Sequence, residues 1–85
     1  MRAPISIIIP TLNAAPNLGP LLASLGEGLA AGLITEVIFS DGGSTDGIDQ
    51  VADIAGAVLI NGPPGRGVQL AAGAKIAKGR WLLFL

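Results

Sequence analysis

The sequence contains no cysteine, so neither a disulfide nor a thiolate metal site can be built from it. It contains no histidine, which removes the commonest general base and the commonest metal ligand. Aromatic residues make up 4% of the chain and tyrosine is absent. The visible aromatics of the last segment, Trp81 and Phe84, read as core rather than as a stacking platform. Charge is scarce at 13%, and the net charge of −1 argues against the electrostatic footprint of a nucleic-acid binder. No apolar run reaches the roughly 18 residues of a membrane span. The longest candidate, Leu18 to Ile34, is broken by Pro20, Glu27 and several glycines. A signal peptide is not expected either: Arg2 gives a basic start, but Ile5 to Ile9 is a short apolar core and Pro10 ends it. A cytoplasmic location is the expectation, with association at a membrane surface left open.

What is present is apolar. Hydrophobic residues make up 51% of only 85 positions, enough for one small domain or part of a larger one. A small free-standing domain exposes much of its surface, so this composition reads like the inner part of a bigger protein. Ile5 to Ile9 is a β-branched run between prolines and reads as a strand buried on both faces. Pro10 to Asn13 reads as a loop. Leu18, Leu21, Leu22, Leu25, Leu29 and Leu33 recur at helical spacing, with Gly32 as the C-terminal cap. Ile34 to Ser40 is a second strand. Asp46 to Ala55 reads as a short helix stopped by Gly56, and Ala57 to Ile60 as a third strand. After the loop Asn61 to Gly65, Arg66 to Lys78 is a helix whose small residues suit close approach to a sheet. Arg80 to Leu85 is a fourth strand.

Strands alternating with helices predict an α/β fold with a parallel sheet and crossover helices. The chain stops inside an apolar strand, and a further C-terminal portion is therefore expected. An apolar last strand with an open edge predicts self-association.

The loops after three strands gather at one edge of such a sheet, the carboxyl edge where ligands bind in open α/β folds. They carry Thr11 and Asn13, then Asp41 to Asp46, then Gly65 and Arg66. Amide, hydroxyl, carboxylate and guanidinium groups around glycine-rich backbone suit a nucleotide. A carboxylate accepts a hydrogen bond from a base or ribose, and Arg66 near a helix N-terminus favours phosphate. Each residue also has a structural reading. Asp41 suits a turn, Asn13 can bond its own loop, and Arg66 can be a solvated surface charge. Thr45 or Asp46 reads as a helix N-cap. Two familiar nucleotide motifs are absent. Pro10-Thr11-Leu12-Asn13 is not the glycine fingerprint of a dinucleotide site, and Gly62 to Gly67 lacks the Lys-Ser/Thr ending of a P-loop.

Three segments in register resemble family 2 glycosyltransferases. Ile5-Ser6-Ile7-Ile8-Ile9-Pro10-Thr11-Leu12-Asn13 resembles the opening strand and loop. Ser40-Asp41-Gly42-Gly43-Ser44-Thr45-Asp46-Gly47 resembles the Asp-(Asp/Gly)-Gly-Ser-Thr-Asp signature. Gly65-Arg66-Gly67-Val68-Gln69, with Gly73 and Gly79 to Leu85, resembles the Gly-Arg-Gly-x-Gln helix and the strand that follows it in a bacterial subgroup.

The resemblance implies a Rossmann-like, three-layer partial GT-A fold, with about four mostly parallel strands and about three helices. Residues 1–85 would form its single N-terminal nucleotide-binding portion. The implied activity is transfer of a sugar from a nucleotide-diphosphate donor, such as a UDP-sugar, to an acceptor hydroxyl with inversion. A non-catalytic nucleotide-binding or assembly module is the alternative. Carried over by position, Pro10, Thr11 and Asn13 border the base and ribose, Asp41 accepts from the base, and Arg66 lies near the base or diphosphate. Ser44 and Asp46 hold the loop and cap the helix. The family's divalent cation, Mn or Mg, belongs to an Asp-x-Asp motif that is not among these residues, so no cation and no catalytic residue is assigned here. The acceptor could sit at a membrane surface. Ala14 stands where the family commonly has Glu, and Ala71 where it often has Asn, so two polar contacts of the pattern are missing.

Overall fold

The computed structural model describes residues 4–85. Its order is β1 (Ile5–Thr11), a 3-10 turn (Ala15–Asn17), α1 (Gly19–Ala30), β2 (Ile34–Asp41), α2 (Ile48–Ala55), β3 (Val58–Asn61), α3 (Arg66–Ile76) and β4 (Trp81–Phe84). All strand pairs are parallel, and the spatial order is β3-β2-β1-β4. The chain thus steps from β1 outward through β2 to β3, then returns across the sheet to place β4 on the other side of β1. That reversal between β1 and β4 is a topological switch point, where open α/β sheets leave a crevice at their carboxyl ends.

Alternation along the two central strands builds three layers. Ile7, Ile9, Val37 and Phe39 pack with Leu18, Leu25, Ile48 and Ala52, which puts α1 and α2 on one face. Ile8 lies on the other face against α3, where a Cβ at Gly73 would run into its side chain. Small residues on α3 therefore do bring it close to the sheet. Ile8, Ile38 and Phe39 are fully buried. Burying each such side chain contributes about 1.5–3 kcal/mol.

Several boundaries differ from the sequence reading, each for a physical reason. Pro10 and Thr11 belong to β1 rather than to a loop. Proline is tolerated in this strand because the β1–β2 ladder does not use its N–H: Thr11 points its backbone at β2, with Gly42 N–H donating to the Thr11 carbonyl. On a parallel ladder alternate residues face opposite neighbours, so Pro10 faces the same side as Ile8, whose carbonyl accepts from Leu85 N–H. The leucine stripe is buried at Leu18 and Leu25 but exposed at Leu29, in the last turn of α1, and at Leu33, beyond Gly32, where the chain turns with φ +76°. Trp81 and Phe84 are not core: β4 is an edge strand, and Trp81 is 67% exposed.

The amino edge of the sheet is pinned by side chains. Ser6 Oγ donates to Glu36 Oε2 at 2.7 Å and accepts from Gly79 N–H at 2.8 Å. Glu36 also accepts from Lys78 N–H. This fixes the α3–β4 connection under β1 and leaves the carboxyl edge to the longer loops.

Candidate functional site

The carboxyl edge is organised around Asp41. It is the last residue of β2, directly beside Thr11, the last residue of β1. The residue is 2% exposed, and its carboxylate receives four hydrogen bonds. Thr11 Oγ1 and Ser44 Oγ donate to Oδ1, the former at 2.6 Å. Gly43 N–H and Ser44 N–H donate to Oδ2 at 3.0 and 2.7 Å. Burial alone would raise the pKa of this carboxyl. The Ser44 and Thr11 hydroxyls and the two backbone N–H groups outweigh it and hold the pKa below its ordinary value. Asp41 is therefore a fixed negative charge, wrapped by the glycine turn that the sequence placed after it.

Asn13 is tied to the same turn. Its N–H donates to Ser44 Oγ at 2.8 Å, and its side-chain carbonyl accepts from Thr45 N–H at 2.9 Å. Its φ of +52° is the left-handed conformation that asparagine tolerates better than most residues. The loops after β1 and β2 thus close on each other. Asp46 completes this closure, accepting from Ala15 N–H at 2.8 Å through Oδ2. Neither Thr45 nor Asp46 caps α2. The N-cap is Gly47, at φ +82° and without a side-chain capping bond. Asp46 has been recruited to the 3-10 turn instead, and its Oδ1 is buried without a partner among the described residues.

The third loop is tied in through Gln69, the last residue of the Gly-Arg-Gly-x-Gln segment and one without a role expected from the sequence. Gln69 is buried on α3. Its Nε2 donates to the Thr11 carbonyl at 3.0 Å and to the Ser40 carbonyl at 2.8 Å. Its Oε1 accepts from Gly65 N–H at 3.0 Å. The signal was available: Gln69 stands four residues before Gly73 and shares its sheet-facing side of the helix. Gly42 packs against the same amide. A Cβ there would meet Pro64 Cα at 2.9 Å and Gln69 Oε1 at 3.1 Å, so the second loop approaches the third only as glycine. Arg66, exposed at the start of α3, donates through a guanidinium nitrogen to the Leu85 carbonyl at 3.1 Å.

The structure therefore brings Thr11, Asn13 and Asp41 into one hydrogen-bonded unit and joins it, through Gln69, to Gly65, the residue before Arg66. Pro10 lies one residue behind Thr11 on β1. Among the described residues no group of three Asp, Glu, His or Cys could hold a metal ion, and no helix is long and apolar enough to cross a membrane. An open apolar groove of about 500 Å³, lined by Ala15, Leu22, Val51 and Ile54, lies between α1 and α2 and contains none of these site residues.

A family model described as glycosyl transferase family 2 matches residues 6–85. The chain belongs to this family. As a family 2 glycosyltransferase chain it also matches solved structures. Glucosyl-3-phosphoglycerate synthase from Mycobacterium tuberculosis, solved with Mn2+, UDP and glucosyl-3-phosphoglycerate, is 28% identical with a TM-score of 0.82. The match covers 98% of this chain and 33% of that one. The same enzyme with Mn2+, UDP and phosphoglyceric acid gives 28% identity and a TM-score of 0.81, over 98% and 32% of the two chains. Mannosyl-3-phosphoglycerate synthase from Rubrobacter xylanophilus shares the fold at 23% identity and a TM-score of 0.77, over 91% and 28%. The chain spans about a third of the length of the structures it matches. No curated protein matches it. The GT-A-type, Rossmann-like α/β fold expected from the sequence is the fold observed, with the sheet parallel throughout.

Proposed function

We propose that this chain forms the nucleotide subsite of a glycosyltransferase, holding the nucleoside diphosphate part of a nucleotide-sugar donor. The observation that carries the reading is the closure of three loops around Asp41 at the carboxyl edge, beside the switch point between β1 and β4. UDP is the favoured nucleotide, since two of the similar structures contain it.

In this reading Asp41 accepts the imide N–H of the base. All four of its acceptor positions are filled by its own chain. One of them must be vacated, and the half-buried Ser44 hydroxyl is the group that can rotate away. The base N–H then replaces a neutral hydroxyl on an ionised acceptor, a charge-assisted bond that favours the exchange. Asn13 has its carbonyl engaged and offers its NH2 to the base or ribose. Pro10 and Thr11 present backbone beside them. Arg66 releases the Leu85 carbonyl and turns to the diphosphate, which gains more from a guanidinium than a neutral carbonyl does.

The family's divalent cation does not find its donors in this residue set. Asp41 is enclosed, and the described residues contain no metal-binding group of three. The proposed role of these residues is donor binding, and transfer of the sugar to an acceptor hydroxyl with inversion is the activity proposed for the protein. Copies of the chain associate through β4, whose open ladder carries Trp81, Leu82, Leu83 and Phe84 exposed, with a net charge of −1 too small to keep copies apart.

Calorimetry with UDP and GDP tests the donor reading. Saturable binding of UDP that is lost in Asp41→Ala supports it. A folded chain that takes up neither nucleotide at millimolar concentration overturns it.

A further inference from the structure

The donor reading leaves open what aligns the base side of the site with its phosphate side. Thr11 and Asp41 end β1 and β2 and Asn13 follows on the first loop, while Arg66 opens α3 after the loop that follows β3. In the described residues the direct side-chain hydrogen bonds joining the third loop to the other two run through one side chain, that of Gln69.

Its chemistry fits that task. A primary amide carries two donors and an acceptor in one rigid plane. Here both donors are spent on the carbonyls of Thr11 and Ser40, at the ends of the two central strands. The acceptor is spent on Gly65 N–H, immediately before Arg66. Lysine or arginine would bring donors without an acceptor. Glutamate would bring a charge against two carbonyl oxygens. The residue is 6% exposed, so it is shielded from solvent. The pieces it joins are Thr11, beside the carboxylate, and Gly65, beside the guanidinium. We infer that Gln69 is a positioning residue for the donor: it fixes the spacing between the base-recognition loops and the Gly65–Arg66 turn, so that one nucleotide can engage both at once.

This inference rests on the donor reading, and it makes a demand that a merely structural glutamine does not. A nucleotide held at both ends gains from the second contact because the first has already localised it. That gain depends on the two subsites being in register. Removing the clamp should therefore erase the advantage of UDP over uridine, beyond any general loss of stability.

The test is calorimetry of uridine and of UDP with the wild-type chain, Gln69→Leu and Gln69→Glu, each checked for a folded spectrum. Gln69→Glu keeps the acceptor for Gly65 and loses both donors. The wild-type chain is expected to prefer UDP over uridine by about tenfold or more. In both variants that ratio should fall below about threefold, while uridine binding changes less. A folded variant that keeps the wild-type ratio overturns the inference and leaves the donor reading standing. If the wild-type chain binds neither ligand, the donor reading fails and the positioning role falls with it. Should both variants fail to fold, hydrogen exchange on the wild-type chain decides. UDP should slow exchange of the Gly65 amide and the Gln69 side-chain NH2 about tenfold or more. Exchange unchanged by saturating UDP overturns the inference.

Discussion

Thr11 Oγ1 donates a 2.6 Å hydrogen bond to Asp41 Oδ1, between residues that are register partners at the ends of neighbouring parallel strands. Both side chains are buried. A hydroxyl and a carboxylate at adjacent strand ends would be costly to bury unpaired, and each removes that cost from the other. The Gly43–Ser44 turn then encloses the carboxylate from above. This pair anchors the loops after β1 and β2, because the Gly43–Ser44 turn closes on the same carboxylate and Asn13 N–H donates to Ser44.

Asp41→Asn should lower stability by about 1–3 kcal/mol, since it exchanges charge-assisted bonds for neutral ones and forces the hydroxyls to reverse. The pH dependence follows from the lowered pKa. The unfolded chain takes up the proton first, near the ordinary value of 3.8, while the folded chain resists it. The stabilisation is therefore complete above that value and is lost as pH falls through it towards the folded pKa. Thermal melts of the wild-type chain should weaken below about pH 4, and Asp41→Asn should flatten that part of the curve. Parallel curves for the two proteins would show that Asp41 is not held as a charge.

Two glycines in the same region of sequence should respond in opposite directions. Gly67, in the first turn of α3, faces open space, so Gly67→Ala should raise stability by about 0.5–1 kcal/mol. At Gly79 a Cβ would meet Ser6 Oγ at 2.5 Å, Ser6 N at 2.7 Å and the Pro4 carbonyl at 2.9 Å. The last two are backbone atoms that cannot yield without moving β1, so Gly79→Ala should cost about 1–3 kcal/mol. Denaturant midpoints for the two variants check the contrast.

The exposed strand β4 makes a third prediction. Sedimentation of the wild-type chain should show association that grows with concentration, and Leu83→Lys should shift it towards monomer. A wild-type chain that stays monodisperse at high concentration contradicts association through this edge.

The sheet was legible because its strands are β-branched runs punctuated by proline and glycine, and because Gly32 and Gly56 stop helices with the left-handed turns expected of them. What escaped the sequence was set by long-range contacts. Local chemistry makes Asp46 a good helix cap, but Ala15 N–H, 31 residues away, claims it. Pro10 looks like a loop residue until β1 is seen paired with β2 as far as Thr11 and Asp41. Trp81 and Phe84 look like core in any count of apolar residues, yet they occupy the sheet's edge. In the candidate site, Thr11, Asn13, Asp41 and Arg66 are legible as polar residues at or just after the strand ends, which the structure places at the carboxyl edge. Gln69 is not legible in this way, because the backbone carbonyls it reaches are 58 and 29 residues away in the sequence.

The most direct test of the central claim is titration of UDP into the isotopically labelled chain, followed amide by amide. A nucleotide subsite predicts saturable shifts at Leu12 and Asn13, at Gly42 to Thr45 and at Gly65 to Gln69, with the amino edge around Ser6 and Lys78 unmoved. A well-dispersed spectrum that stays unchanged at millimolar UDP, or shifts confined to the groove between α1 and α2, would contradict it.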